Sequence, residues 1–288
     1  MRAHPIVPAG ALIAAALIAA GTLHAAALVP DTRDPQYQAK GDLHRTYAFP
    51  ATGESIPYRL YVPSKWVRGA KLPLLVEMHA GDSLDNPFGR GNGILIRLAE
   101  ERGIIVAVPL GYKPDANRLV YNSPFKVIQA PPPAGAAPPP APKTAPPAYT
   151  AEDRQRAEQD VLNVIDLVSQ EYGVDTSRIY AHGNNFAGSG ALYLAEKYPE
   201  RFAAIAVSSA PIVTDQYPFE RLKAGLMIIH GDLDTTNSLE AARAMAQLAK
   251  QRGVDTEWVE LKEGTHLEAW AMAFPQMLDF FAKHTLKK

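Results

Sequence analysis

The sequence predicts an α/β fold in which a mostly parallel central sheet carries helices on both faces. Short and nearly continuous apolar segments recur along the 288-residue chain, as expected of strands that are buried on both faces. The segments between them place apolar residues at three- and four-residue intervals, which indicates amphipathic helices. Strands that alternate with helices favour parallel pairing, because each helix returns the chain to the same end of the sheet.

The predicted elements begin with a hairpin. Short segments at 47–49 and 58–62 flank an Ala-Thr-Gly-Glu sequence with the composition of a turn. Buried strands are predicted at 72–79 and 104–109, where the apolar runs are almost continuous. Helical spacing over 94–102 places a helix between these two strands.

The second half of the chain continues the alternation. Ala157, Val161, Ile165 and Val168 recur at helical intervals and predict an amphipathic helix over 152–172. The remaining predicted elements, in order, are a strand at 178–182, a helix at about 189–198, strands at 203–208 and 226–230, a helix at 239–251, a strand at 257–261 and a closing helix at about 267–283.

The first 27 residues are typical of an export signal. Arg2 opens the segment, an apolar run follows from residue 6 to about residue 20, and three alanines at 25–27 suit a signal peptidase. Cleavage there leaves a single domain at 28–288, secreted or periplasmic and without stable membrane insertion. The alternative is an uncleaved anchor helix, because the segment is just long enough to span a bilayer at roughly 20 residues.

A second unusual segment, at about 130–148, consists mainly of Pro and Ala. It has few groups able to form a core or a strand ladder, so a stiff and largely unstructured excursion is predicted. A tolerated surface insertion is the favoured interpretation. A lid, or a Pro-rich ligand for a protein partner, is the alternative.

Composition and charge exclude several functions. The chain has 29 basic and 30 acidic residues, so it lacks the basic excess that nucleic acid or anionic membranes attract. The absence of cysteine excludes a cysteine nucleophile and thiolate metal sites. The eight histidines show no metal-binding spacing, and no phosphate-binding glycine loop is present, so no cofactor and no metal are expected.

The turn after the predicted strand at 178–182 carries a recognisable motif, Gly-Asn-Asn-Phe-Ala at 183–187. Between a strand and a helix, it resembles the nucleophile elbow of secreted α/β-hydrolase esterases, especially the poly(3-hydroxybutyrate) depolymerase and feruloyl esterase type. The resemblance runs from about Arg45 to Phe281, interrupted by the Pro/Ala-rich segment. It implies an α/β-hydrolase fold and a carboxylic-ester hydrolase class of activity.

By this resemblance, Asn185 occupies the position of the nucleophilic serine. Gly183 supplies the small residue before it, and Ala187 replaces the second glycine. A nucleophile elbow is a sharp turn with a strained backbone, and Asn tolerates positive φ better than most residues. Asn185 can therefore keep the shape of the elbow without supplying its usual nucleophile.

The resemblance also assigns the other members of the triad. Asp234, in the loop after the strand at 226–230, matches the acid, with Asp232 as its rival. His266, between the last strand and the last helix, matches the histidine. An aspartate would hold His266 in the tautomer whose other nitrogen faces the substrate, where it acts as base and then as acid.

The oxyanion hole implied by the resemblance uses two backbone N–H groups. One belongs to the His-Ala-Gly segment that ends at Gly81, and the other to Phe186, directly after the elbow residue. His79 is expected to be a buried strand-end histidine. Ala80 replaces the glycine expected of such a segment, which changes the loop that carries the first donor.

The missing serine leaves several functions open. The favoured one is a weak or inactive esterase homologue that keeps a pocket for a small-molecule or polymeric ester or acid. An active esterase or depolymerase would use water activated by His266, since a damaged triad retains about a thousand- to ten-thousandfold acceleration over water. Ser189 as the nucleophile, Asn185 as a replacement of an ancestral serine, and a protein-interaction module built on the Pro-rich segment are further alternatives.

Overall fold

The computed structural model describes residues 28–78, 84–89, 93–113, 127–128, 149–213 and 217–286. The predicted export signal, the Pro/Ala-rich segment and Gly81 lie outside these residues. Within these ranges, no helix is both long enough and apolar enough to cross a membrane.

The described secondary structure alternates strands and helices along the chain. The strands are β1 (Gly41–Ala48), β2 (Ser55–Val62), β3 (Leu74–Met78), β4 (Ile105–Pro109), β5 (Val127–Ile128), β6 (Ile179–Asn184), β7 (Ala204–Ser208), β8 (Ile212–Val213), β9 (Gly225–Gly231) and β10 (Thr256–Leu261). The helices are α1 (Asn86–Gly89), α2 (Ile94–Arg102), α3 (Ala151–Tyr172), α4 (Phe186–Lys197), α5 (Leu239–Gln251) and α6 (Ala269–Ala282), with a 3-10 helix at Phe219–Arg221.

Eight of these strands form one sheet in the order β1-β2-β4-β3-β6-β7-β9-β10. The hairpin of β1 and β2 is antiparallel, and β2 pairs antiparallel with β4. Every other pairing in the sheet is parallel. β5 and β8 form a separate two-stranded antiparallel ribbon.

Helices cover both faces of the sheet, because the parallel strands alternate buried side chains to either side. One apolar cluster includes Ala157, Ala191 and Met245 and packs α3, α4 and α5 on the first face. The other includes Leu95 and Phe274 and packs α2 and α6 on the second face. The predicted α/β-hydrolase architecture is confirmed.

The predicted elements are all present, and two differences in detail are informative. The helix predicted from about Ser189 begins instead at Phe186, because the sharp turn at Asn185 leads directly into the helix and the glycines that follow remain helical. The short α1, the β5–β8 ribbon and the 3-10 helix were not predicted, since segments of two to four residues carry too little periodicity to be recognised.

Candidate functional site

The candidate site lies where parallel strands reach their carboxyl ends, the usual place for ligands in open α/β sheets. Asn185 follows β6, Asp234 follows β9 and His266 follows β10. β6 pairs with β7, β7 with β9 and β9 with β10, all in parallel. The topology therefore brings these three sequence-predicted residues to one edge of the sheet.

Asn185 has the backbone conformation of a sharp elbow. Its φ is 56° and its ψ is −132°, a combination that non-glycine residues rarely adopt and that is found mainly at functional sites. Its N–H donates to the carbonyl of Ser208, and its carbonyl accepts from Gly188 N–H, both at 2.9 Å. Asn185 is the N-cap of α4, but its side chain makes no capping hydrogen bond.

Two glycines make the elbow possible. A Cβ on Gly183 would lie 2.4 Å from the carbonyl carbon and oxygen of Ala187, and one on Gly188 would lie 2.8 Å from the oxygen of Gly183. The sequence predicted the first of these positions. The sequence pattern predicted the second small residue at Ala187, but the methyl group of Ala187 fits into the buried interior. The position that has no room for a side chain is Gly188.

Asp234 and His266 form the predicted acid–histidine pair. His266 Nδ1 donates to Asp234 Oδ2 at 2.9 Å, and the N–H groups of Thr236 and Asn237 donate to Asp234 Oδ1 at 2.8 and 3.0 Å. Burial alone would raise the pKa of Asp234, but the hydrogen bonds from His266 and from these two backbone groups outweigh it and hold the pKa at about 2. The carboxylate is therefore ionised at neutral pH.

Asp232, the rival acid, points elsewhere. Its carboxylate accepts from Lys262 Nζ at 3.2 Å and from Glu263 N–H at 2.7 Å. These two contacts hold the turn between β10 and α6. Asp234 rather than Asp232 is thus the partner of His266.

His230 and Asn237 also belong to the site, although neither is predicted from the sequence. His230 Nε2 donates to the carbonyl of Asn237 at 3.2 Å and lies 3.4 Å from Asp234 Oδ2. Burial lowers the pKa of His230, which keeps the ring neutral. Asn237 Nδ2 donates to the carbonyl of Ser209 at 2.6 Å and to Asn185 Oδ1 at 3.3 Å. Asn237 therefore links the loop that carries Asp234 to the elbow at Asn185.

Four buried polar atoms around the elbow lack a protein partner among the described residues. They are Asn184 Oδ1, Ser209 Oγ, His230 Nδ1 and Asn237 Oδ1. Buried polar groups are nearly always hydrogen-bonded to protein or to water. The site can thus accept hydrogen bonds from water or from a polar ligand.

The remaining predicted residues take different roles. Phe186 is the first residue of α4, so its N–H has no acceptor within the helix and is placed as an oxyanion donor would be. Ser189 is buried, and its Oγ donates to the carbonyl of Pro211 at 2.7 Å. That hydrogen bond explains Ser189 as a structural helix residue. Gly81, the other predicted oxyanion donor, lies outside the described residues.

A buried polar chain lies directly behind the elbow. His182 Nδ1 is 2.8 Å from both carboxylate oxygens of Glu77, and its Nε2 is 2.8 Å from Ser208 Oγ. Burial raises the pKa of Glu77, and the contact with His182 opposes that effect. Because the Ser208 carbonyl also holds Asn185, the chain supports the elbow from the sheet side.

No group of three or more His, Asp or Glu side chains in the described part of the chain is arranged to hold a metal ion. The chemistry available to the site comes from the Asp234–His266 pair and the α4 N-terminus. Such a pair can accept and return a proton at the second histidine nitrogen.

The fold and the layout of this site define an α/β-hydrolase. The chain belongs to the esterase family, because the family model Esterase, described as "Putative esterase", matches residues 50–285. It is accordingly a carboxylic-ester hydrolase-like protein. No curated protein matches the chain significantly.

Solved structures agree on the fold. A thermostable esterase superimposes with a TM-score of 0.60 at 21% identity, covering 85% of this chain and 63% of that protein. A ferulic acid esterase gives 0.57 at 16% identity, with 84% and 97% covered. An S-formylglutathione hydrolase from Agrobacterium tumefaciens gives 0.58 at 16% identity, with 84% and 94% covered. This chain covers less than two thirds of the length of the thermostable esterase.

Proposed function

We propose that this protein is an exported esterase homologue that binds an ester or an acid at the elbow and hydrolyses esters weakly or not at all. The observation that carries the proposal is Asn185 itself. It holds the backbone angles of a nucleophile elbow but offers an amide where attack on an ester needs a hydroxyl or thiol. The buried unpartnered acceptors of Asn184 and Asn237 suit a ligand that also carries a hydroxyl group, since an ester or a carboxylate by itself donates no hydrogen bond.

A second candidate is a working hydrolase without a covalent intermediate. The Asp234–His266 pair favours it, because a histidine oriented by an ionised aspartate can activate water. The Phe186 N–H would then stabilise the oxyanion, and losing one such donor typically costs about a hundred- to thousandfold in rate.

One assay separates the two candidates: hydrolysis of short-chain p-nitrophenyl esters by the wild type, Asn185→Ser and His266→Ala. We expect little turnover by the wild type and a gain of at least about a hundredfold for Asn185→Ser, because the serine would join an elbow and an Asp234–His266 pair that lie at the same end of the parallel strands. His44→Ala is the matched histidine control, since His44 is exposed on β1. Strong wild-type activity that His266→Ala abolishes and His44→Ala leaves unchanged would instead support the water-based hydrolase.

The ligand itself is open to a direct test. A non-hydrolysable phosphonate ester and a free aromatic acid can be titrated into the wild type and Asn237→Leu, with binding followed by calorimetry. We expect Asn237→Leu to weaken binding, because it removes the buried amide that lies against Asn185. Equal affinity in the two proteins would indicate that the ligand binds away from the elbow.

A further inference from the structure

Asn185 combines a reactive side-chain amide with unusual backbone angles. We infer that Asn185 modifies itself: the backbone nitrogen of Phe186 attacks the Asn185 side-chain carbonyl carbon, closes a five-membered imide ring, and leads through water to aspartate at the elbow. This inference does not rest on the proposed function, because it requires no substrate and no catalytic turnover.

The ψ angle of Asn185 favours ring closure. Ring closure needs the Phe186 nitrogen and the Asn185 Cβ on the same side of the Cα–C bond, nearly eclipsed. In an L-residue the backbone nitrogen and Cβ are separated by about 120° around that bond, so ψ near −120° produces this alignment. Helices and strands hold ψ near −42° or near +115 to +135°, whereas Asn185 has −132°.

The backbone nitrogen of Phe186 is suited to the attack by its place in the helix. Phe186 is the first residue of α4, and the first N–H groups of a helix have no intrahelical acceptor. Loss of its proton therefore breaks no hydrogen bond of the helix. The positive end of the helix dipole also favours the negative charge that develops on the nitrogen and on the attacked carbonyl.

The side-chain carbonyl of Asn185 is held by a hydrogen-bond donor. Asn185 Oδ1 accepts a hydrogen bond from Asn237 Nδ2 at 3.3 Å, and Asn237 is held in turn by the carbonyl of Ser209 at 2.6 Å. A fixed donor at the oxygen that becomes negative stabilises the tetrahedral intermediate. Asn185 is also partly exposed, so water can reach the ring after it has formed.

The reaction balances without any co-reactant other than water. The bond from Phe186 nitrogen to Asn185 Cγ forms, the bond from Cγ to Nδ2 breaks, and the Phe186 amide proton leaves with the amine as ammonia. Water then opens the imide at one of its two carbonyls, which gives aspartate or isoaspartate. The chain loses ammonia, gains water and becomes heavier by about 1 Da. Aspartate places at the elbow a carboxylate, a residue type that enzymes use as a nucleophile.

Asn184 is a matched control within the same proteolytic peptide. It lies in β6, so its backbone is extended, and ψ in a strand keeps the following nitrogen away from Cβ. That nitrogen, of Asn185, also donates to the Ser208 carbonyl at 2.9 Å, a bond that ring closure would break. The two neighbouring amides should therefore differ in rate.

The test is peptide mass spectrometry of the intact protein during incubation in mildly alkaline buffer, folded and in urea. We expect the mass gain at Asn185 only, with both aspartate and isoaspartate as products. It should appear at least about tenfold faster in the folded chain than in urea, because the fold aligns the reacting atoms. Asn185→Gln should keep its amide, since its longer side chain does not form the five-membered ring.

Three results would overturn the inference. Asn185 could keep its amide when folded as long as it does in urea, or Asn184 could react as fast as Asn185. Aspartate could also form without isoaspartate and only while His266 is present, which would indicate direct hydrolysis by activated water. A mass gain in a protein that hydrolyses no ester supports the inference and leaves the proposed function to be judged by the ester assay alone.

Discussion

At the scale of single residues, the carboxylate of Asp234 is held by His266 and by two backbone N–H groups. Its pKa of about 2 lies below the ordinary value of 3.8, so the folded state favours the charged form. The resulting stability is present above the unfolded pKa and is lost as the pH falls toward 2. The same charge that orients His266 therefore stabilises the fold at neutral pH.

We predict that Asp234→Asn lowers the free energy of unfolding by about 2 kcal/mol at neutral pH, the amount that corresponds to this depression of the pKa. The difference from the wild type should shrink as the pH approaches 2. Urea unfolding at several pH values measures both effects. Asp232→Asn, on the more exposed neighbour, should change the free energy by less than about 0.5 kcal/mol. A loss for Asp234→Asn that is independent of pH would contradict the assignment.

The sequence predicted part of this residue-level picture. Asn185, Asp234 and His266 could be assigned because each follows a predicted strand in the chain order of the family. His230 and Asn237 could not be assigned from the sequence. Their contacts with Asp234 and Asn185 join loops that follow different strands, so these contacts depend on tertiary packing. The four-residue spacing of His230 and Asp234 was the one local signal available for His230.

At the scale of elements, the junction of β6 and α4 is the most constrained part of the site. The strand ends at Asn184 and the helix begins at Phe186, so a single residue makes the whole turn. Gly183 and the backbone of Ala187 approach too closely for a side chain between them. The position of α4, and with it the Phe186 N–H, depends on that approach.

We predict that Gly183→Ala destabilises the protein by about 1–3 kcal/mol, the usual range for overpacking of a close contact, because the added methyl would displace the start of α4. Gly89→Ala is the control, since a Cβ there meets no atom of the described residues within 4 Å. Chemical unfolding of both variants gives the comparison. Equal stability of the two variants would show that α4 shifts freely, and the elbow would then not be a rigid element.

Periodicity predicted most elements because the helices of this fold are long and amphipathic and its inner strands are continuously apolar. The start of α4 was misplaced because its first five residues contain two glycines and a serine, which resemble a loop in composition. The deciding feature is the left-handed φ at Asn185. The motif indicated a sharp turn at this residue, but it did not show that the helix begins at the next one.

At the scale of the whole molecule, the N-terminal hairpin is tied to α3 by a buried ion pair. The Arg45 guanidinium contacts both oxygens of Glu171, at 3.1 and 3.2 Å, and both side chains are almost completely buried. Asp34 adds a contact at 3.1 Å. This ion pair joins β1, an edge strand of the sheet, to α3.

We predict that Glu171→Gln destabilises the protein by about 3 kcal/mol, because it leaves the buried Arg45 charge with only partial compensation. Glu152→Gln is the control in the same helix, where the pair with Arg156 is largely exposed, and it should cost less than about 0.5 kcal/mol. Thermal and urea unfolding give both values. A small effect for Glu171→Gln would mean that Asp34 alone balances the charge.

The overall architecture followed from the sequence because layering depends on patterns that extend over many residues. The antiparallel start, the parallel continuation and the helices on both faces were all readable as alternating apolar segments. The order of the strands in the sheet could not be predicted from these patterns. In the structure β4 lies between β2 and β3, and packing determines such a crossover.

The chain order of the site residues has a consequence for biosynthesis. During synthesis the elbow emerges from the ribosome with β6 and α4, whereas Asp234 and His266 follow β9 and β10 later in the chain. His266 is attached to the strand that closes the far edge of the sheet. A nascent or prematurely terminated chain can thus contain the turn at Asn185 while lacking the residues that accept and return a proton, so this site becomes complete only after β10 and the loop that carries His266 have been synthesised.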